Sequence, residues 1–427
     1  MDNTGTQGFI DTSNRVFPGG VLGRHQYGSA SDHLPVSGEG PILQDSEGRS
    51  FIDYSCGGGS LILGYSHPSV VAAVSQQAHK ATQFVSIRNQ PAIELANCVT
   101  EMVSWVEKVR FTLSGAEAVM MALRLARAYT NRDKVLKFDG AYHGNCDYSL
   151  WNKSNPGTDA VNLPSSAGIP GVIQDLVLVA PFNDLSATRE IVRKHCKSLS
   201  AMIIEPVQRS YAADAEFLFG LRELCDEFDI VLVFDEIVTG FRHALGGAAE
   251  VFKVEPDLGA FGKALGGGLP VGAVGGRPEI MDHADPQRGT AKNGYAYVTS
   301  SQAGNPLGAA AGIATLNELS KPGVLAAMHR RAEALKSGLS ELVVQQDIEA
   351  QVVGYGPLWD LAFASEPITD HASAQKADQS KLLKFHHGLI RNGVMVRAGG
   401  RSYFSTAHHE EHIDQTLRAA EIALKEM

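Results

Sequence analysis

Five short, almost uninterrupted apolar runs constrain the fold of this chain more than any other feature. They are KVRFTL at 108–113, KVLKFDG at 134–140, DLVLVAP at 175–181, AMIIEPV at 201–207 and IVLVFDEIV at 230–238. A strand with one wet face alternates apolar and polar residues, whereas a strand covered on both faces does not. Helical patterns lie between the runs, EAVMMALRLARAY at 117–129 and LFGLRELCDEF at 218–228. Strand, helix, strand, helix in this order predicts an α/β domain built on a mostly parallel sheet.

The flanks read differently. PILQDSEGRSFIDY at 41–54 predicts a hairpin turning at Ser46-Glu47-Gly48. Lys321-Pro322-Gly323 stops a helix, and a long helical stretch follows through about Val343. The expected organisation is a large α/β domain over 56–322 with a smaller α+β domain formed by both termini, residues 1–55 and 323–427. There is no internal repeat. Segment 144–174, long, polar and rich in Gly, Pro and Ser, is expected to be a loop over a site.

Charge and leader signals narrow the function. Thirty-seven basic against 47 acidic residues give a net charge of −10, with no Lys/Arg block, which excludes a typical nucleic-acid binder. The polar start MDNTGTQGFIDTSN has neither the charged-then-apolar pattern of a signal peptide nor the arginines of a transit peptide. No apolar run approaches the roughly 18 residues that span a bilayer. Five scattered cysteines without a CxxC pair are expected as free thiols, so the expected location is cytoplasmic. HHEEH at 408–412 has the order of a metalloprotease motif, but it opens the amphipathic helix EEHIDQTLRAAEIAL with acids in the first turn. No metal is expected.

Four constellations carry chemistry. In LGAFGKALGGGLPVGAVGG at 258–276, Lys263 stands among glycines. A P-loop is excluded by Asp257 and Ala264 where it needs Gly and Ser/Thr, and no GxGxxG register fits. Two readings stay open: a desolvated lysine nucleophile, or a lysine whose tip reaches water from a tight turn. Asp235 and Glu236 end an apolar run at the sheet edge where ligands bind. A buried carboxylate there needs a partner such as a protonated ring nitrogen, or else serves as a cap or ion pair with Arg242. Ser114-Gly115-Ala116 leads into a helix whose free amides suit a phosphate, though Ser114 with Glu117 is also a plain capping box. Tyr142-His143 ends another strand and offers a stacking face, or a structural tyrosine in a turn. Together a Schiff-base lysine, a carboxylate for a ring nitrogen, an aromatic face and a phosphate-binding helix start describe a pyridoxal phosphate site.

The same residues carry a family resemblance. LVFDEIVTGFR at 232–242, FGKALGGGLPVGAVGGRPEIM at 261–281 and GNPLGAAAG at 304–312 resemble the class III (subgroup II) aminotransferases of fold type I. The glutamate-1-semialdehyde aminomutase group is the most similar. APFNDL at 180–185 and PSSAGIPG at 164–171 extend the likeness, which runs from PGG at 18–20 to STAHHEE at 405–411. It implies Lys263 as the Schiff-base lysine and proton shuttle, and Asp235 on the pyridine nitrogen. It implies Ile237 and Tyr142, with His143 beside it, around the ring, and Glu205 near the 3′-hydroxyl. Ser114, Gly115 and Ala116 correspond to the phosphate-binding turn, with Ala116 lacking the usual hydroxyl. Ser301 corresponds to a threonine reaching the neighbouring subunit's phosphate, which implies a homodimer.

Substrate is where the resemblance loosens. Gly400 occupies the place of an acidic residue of the aminomutase group, and PGGVLGRHQY shifts Arg24 by two positions. The missing acid favours a transaminase with ping-pong kinetics, a separate amino donor and carbonyl acceptor, and pyridoxamine phosphate as the alternate cofactor form. An intramolecular aminomutase is the alternative. Arginine is the natural fork for a carboxylate, so Arg24 with Arg397 or Arg401 is expected to hold a carboxylate-bearing substrate.

Overall fold

A computed structural model describes residues 5–23, 33–84, 87–154, 161–289 and 294–427. They cluster into two compact units: Pro68–Leu325 with Ile368–Lys376, and Met1–His67 with Ala326–Pro367 and Ala377–Met427. No helix among the described residues is long and apolar enough to cross a membrane.

The larger unit is built on seven strands: β1 (Lys108–Thr112), β2 (Lys134–Phe138), β3 (Val177–Ala180), β4 (Leu199–Ile204), β5 (Val231–Asp235), β6 (Leu258–Phe261) and β7 (Gly272–Gly276). Their spatial order is β1-β7-β6-β5-β4-β2-β3. Strands β2 to β6 pair in parallel, while β7 is antiparallel to both β6 and β1. Strand β1 therefore points the same way as the parallel set. Helices α1 (Pro68–Lys80), α2 (Gln90–Met102), α3 (Gly115–Thr130), α4 (Leu185–His195), α5 (Ala215–Phe228) and α6 (Pro306–Leu319) accompany the sheet.

All five apolar runs are strands, and every residue of β4 and β5 is buried, which is why they do not alternate. The buried face of α3 (Val119, Ala122, Leu123, Ala126) joins Val135, Val177, Ile203, Val233 and Val274 in one core. Strands β6 and β7 were not expected, because LGAF has no β-branched residue and GAVGG has only Val274 among glycines. Close packing explains their glycines: a Cβ on Gly259 would lie 2.5 Å from Trp105, and one on Gly275 would lie 2.7 Å from Val106.

The smaller unit contains the expected hairpin, Ile42–Asp45 against Ser50–Asp53, within a sheet completed by Pro35–Glu39 and Val394–Met395. A second sheet pairs Gln351–Val353, Leu358–Ala362 and Ser402–Tyr403. Tyr54, Trp359, Phe385 and Phe404 are wholly buried in it.

The unit boundaries fall at 67/68 and 325/326 rather than at 55/56 and 322/323. Asp53 explains the first shift: its carboxylate accepts from the Ser55 amide (2.7 Å), the Cys56 amide (3.0 Å) and the Tyr65 hydroxyl (2.7 Å). That ties residues 54–65 to the small unit's sheet. Segment 368–376, expected in the C-terminal domain, groups with the larger unit, where Asn183 Nδ2 donates to Thr369 O at 3.1 Å. The described part of segment 144–174 is more ordered than a plain loop, with Trp151–Lys153 paired to Asn162–Pro164. HHEEH is a helix start: Glu410–Lys425 is helical, and the His409 amide donates to His412 Nδ1 at 3.0 Å. No potential metal cluster occurs among the described residues.

Candidate active site

Five connections leave one edge of the large sheet, the carboxyl ends of β1, β2, β4, β5 and β6. They carry Ser114–Ala116, Tyr142–His143, Glu205, Asp235–Ile237 and Lys263 respectively. Sequence separates these residues widely, and the common strand direction gathers them.

Glycines let the connections touch. A Cβ on Gly115 would lie 2.6 Å from Ile237 Cδ1, and one on Gly262 would lie 3.2 Å from the same atom and 3.6 Å from Gly115 Cα. A Cβ on Gly144 would lie 2.6 Å from Ala116 Cα. The residue before the lysine, the start of α3, the residue after Asp235-Glu236 and the Tyr142 turn thus close on one another. Lys263 itself is left-handed, with φ 46°, and half-buried. A lysine in that region is strained, and such strain concentrates where a side chain must be aimed.

The adjacent carboxylates have different duties. Asp235 is 4% exposed; its Oδ2 lies 2.7 Å from His143 Nδ1 and its Oδ1 accepts from the Ile237 amide at 3.1 Å. Since a carboxylate only accepts, Nδ1 carries the proton. Glu236 is the cap that sequence left open: it accepts from the amides of Ala248 and Ala249, each at 3.0 Å, and from the Thr239 hydroxyl. Burial pushes its pKa up to about 7 against those hydrogen bonds. Arg242, also fully buried, donates from Nε to Val238 O at 3.2 Å.

At the helix start the Ser114 cap is present, while Glu117 reaches the amide before the cap rather than that of Ser114 itself. Ser114 Oγ caps by accepting from the Glu117 amide at 3.2 Å, and Glu117 accepts from the Leu113 amide at 2.8 Å. The amides of Gly115 and Ala116 have no carbonyl one turn back to bond, as at any helix N-terminus, so they can serve an anion. Tyr142 is half-exposed, its amide donates to Glu205 Oε2 at 3.0 Å, and the Arg209 guanidinium lies 5.6 Å from its ring centroid.

Ser301, Arg24, Arg397 and Arg401 complete the expected set. Ser301 is exposed, and its carbonyl accepts from Gln83 Nε2 at 2.6 Å. Arg24 lies outside the described residues. Arg397 and Arg401 belong to the smaller unit, where a Cβ on Gly400 would sit 3.0 Å from Arg397 Cδ. Sequence reasoning missed Lys137, Arg209 and Gly272. Lys137 and Gly272 are buried and Arg209 Nε donates to Gly140 O at 3.3 Å, features that no motif announces.

Pyridoxal phosphate fits what is present. Gly115 and Gly262 let the start of α3 and the lysine connection close on Ile237, α3 offers amides for the phosphate, and Asp235 is a buried carboxylate held in place. His143 Nε2 is buried and has no hydrogen-bond partner among the described residues, so the pair retains polar capacity toward a ligand.

Comparison with known proteins agrees. The class-III aminotransferase family matches residues 27–421. A glutamate-1-semialdehyde 2,1-aminomutase of Desulforudis audaxviator is 39% identical, covering 97% of this chain and 96% of that protein. An omega-transaminase from Sphaerobacter thermophilus superimposes with a TM-score of 0.92 at 31% identity, over 98% of this chain and 97% of that one. A transaminase solved with PLP bound gives 0.90 at 30% identity, over 99% and 97%. The architecture is the expected fold type I, and with this sheet, this site and these relatives the chain belongs to the class-III aminotransferases.

Proposed function

We propose that this chain moves an amino group with pyridoxal 5′-phosphate, using Lys263 as the attachment and proton-carrying residue. The observation that carries the reading is the convergence of Lys263, the Asp235–His143 pair and the start of α3 at one strand edge. When bound, the cofactor supplies an electron sink for the carbon that bears the amino group.

The chain's own residues would do the rest. Asp235, desolvated and oriented by His143 and the Ile237 amide, would hold a proton on the ring nitrogen. The Gly115 and Ala116 amides would bind the phosphate, helped by the positive end of the α3 dipole. Ile237 and Tyr142 would flank the ring, and Glu205 would lie on its 3′-hydroxyl side. Lys263 Nζ would hold and deliver the proton exchanged with the reacting carbon. Ser301 would complete a neighbouring subunit's phosphate site in a homodimer.

Full-length relatives named aminomutase, 37–39% identical, support transfer within one substrate such as glutamate 1-semialdehyde. Transamination to a separate acceptor is the second reading. It is favoured by Gly400, where the aminomutase group has an acid, and by the likeness to an omega-transaminase. In either case Arg24 with Arg397 or Arg401 would take the substrate carboxylate.

Purified enzyme loaded with cofactor and given glutamate 1-semialdehyde alone tests the two forms. Full conversion with no keto or aldehyde acceptor supports the mutase; turnover only when an amino donor and a separate acceptor are both present supports the transaminase. Inertness to every donor, read from the cofactor spectrum, would sink both.

A further inference from the structure

Strand β2 carries a lysine where its neighbours Val135, Leu136 and Phe138 are apolar and buried. Lys137 is only 1% exposed. Its Nζ donates to Trp151 O at 2.6 Å, Ala141 O at 3.0 Å and Ser149 O at 3.1 Å, and lies 3.4 Å from Asn152 Oδ1. An ammonium has three protons, and three backbone carbonyls take them. Burial works against the charge and pushes the amine down to about 7; Glu205 and Asp139 oppose that, and Arg209 adds to it. A leucine would avoid this penalty, so the lysine stands here for what it holds.

What it holds is the connection that carries the expected cofactor residues. Ala141 directly precedes Tyr142 and His143, while Ser149 and Trp151 lie on the returning limb. Two further ties close the same loop at its base. Asn152 Oδ1 accepts from the Gly140 amide at 3.0 Å, and Asp139 Oδ1 accepts from the Lys153 amide at 2.9 Å. Both limbs are thus fastened to one tethered cation, as carbonyl oxygens are fastened around a bound metal ion.

We propose that Lys137 is a positioning residue: its ammonium draws the carbonyls of Ala141, Ser149 and Trp151 together and so fixes Tyr142 and His143 for the cofactor. The inference rests on the reading of Tyr142 and His143 as cofactor residues, and it extends that reading to a side chain that touches neither substrate nor cofactor. Removing the ammonium leaves three carbonyls without their common donor and lets the two limbs part. The strands beneath, held by their own ladders, keep their form.

The test compares the holoenzyme with Lys137→Met, which keeps the length and loses every donor, and Lys137→Gln, which keeps two donors. Hydrogen exchange is followed in peptides spanning 141–152 and 231–235, and pyridoxal phosphate affinity is measured by dialysis. Expected for Lys137→Met is exchange about tenfold faster across 141–152 with 231–235 unchanged, and affinity about tenfold weaker, with Lys137→Gln between it and the wild type. Wild-type exchange in both variants overturns the proposal. So does equal loosening of both peptides, or a looser loop with unaltered cofactor affinity. If Lys137→Met does not fold, Lys137→Gln decides alone by the same criteria. Tyr142→Ala separates the two claims: unchanged affinity in that variant refutes the cofactor role of Tyr142, whereas the loop-exchange result stands independently of it.

Discussion

Gly272→Ala tests the glycine-rich surroundings of Lys263. Gly272 opens β7 opposite Thr112, and its φ is not in the left-handed region, so the substitution is purely steric. An added Cβ would lie 2.5 Å from Ser114 O and 2.7 Å from Ser114 C, besides striking the Thr112 hydroxyl. Carbon and oxygen atoms rest at roughly 3.5 Å, so something must move by about 1 Å. Moving Thr112 aside would break the hydrogen bond its hydroxyl donates to Ser114 O at 2.9 Å, and Ser114 is itself held because its carbonyl accepts the Ala118 amide at 3.0 Å in the first turn of α3. The Ser114–Ala116 turn must therefore shift as a piece. Overpacking of this kind costs about 1–3 kcal/mol, and a 1 Å misplacement at a reacting site can cost about 10²-fold in rate. The control is Gly275→Ala on the same strand, whose Cβ would meet Val106 at 2.7 Å, away from the turn. Thermal unfolding and cofactor affinity are measured for both. Both variants are expected to melt earlier, but only Gly272→Ala should bind pyridoxal phosphate at least tenfold more weakly. Wild-type affinity in Gly272→Ala, or equal losses in the two variants, would refute the reasoning.

Other perturbations address other links. Asp235→Ala should leave His143 buried without its partner, lowering unfolding free energy by about 1–3 kcal/mol, and should cut amino-transfer turnover on the order of 10²–10⁴-fold; denaturant titration and steady-state kinetics check the two effects. Burial would raise the Asp45 carboxyl, but hydrogen bonds from Arg49, His33 and the amides of Arg49 and Glu47 outweigh it and hold it at about 2, below its usual 3.8. Its folded pKa is thus depressed, so its stabilisation is present above about pH 3.8 and lost as pH falls through about 2. After solvent screening, Asp45→Asn should remove about 1 kcal/mol at pH 6 and almost nothing at pH 2, read from urea melts. In the smaller unit, His386 Nε2 donates to Asp360 at 2.8 Å while Nδ1 accepts from the Gly399 amide at 3.0 Å. His386→Leu should cost about 1–3 kcal/mol and speed hydrogen exchange across residues 397–401.

Much of this was legible because burial on both faces writes itself into sequence as unbroken apolar runs, and all five runs became strands of one sheet. Strands β6 and β7 were illegible for the opposite reason. Their glycines are chosen for what approaches them, Trp105, Val106 and the Ser114 turn, and close approach leaves no propensity signal. At the site, each residue type was readable at a strand end, yet the division of labour between Asp235 and Glu236 was not. Only the fold shows that one carboxylate meets His143 and the other caps residues 248–249. The cap and the anion-binding helix start at Ser114 looked like rivals in sequence, but the hydroxyl accepts from the Glu117 amide and so does not occupy the amides of Gly115 and Ala116. Lys137 was invisible because a lysine in an apolar run reads as a strand-edge residue until its four oxygen neighbours are seen.

The most direct test of the central claim is where the cofactor attaches. The enzyme is loaded with pyridoxal 5′-phosphate, reduced with borohydride, digested and sequenced by mass spectrometry. One phosphopyridoxyl group per chain on Lys263, absent from Lys263→Ala, is the predicted result. A modified lysine elsewhere, or none, would contradict the account.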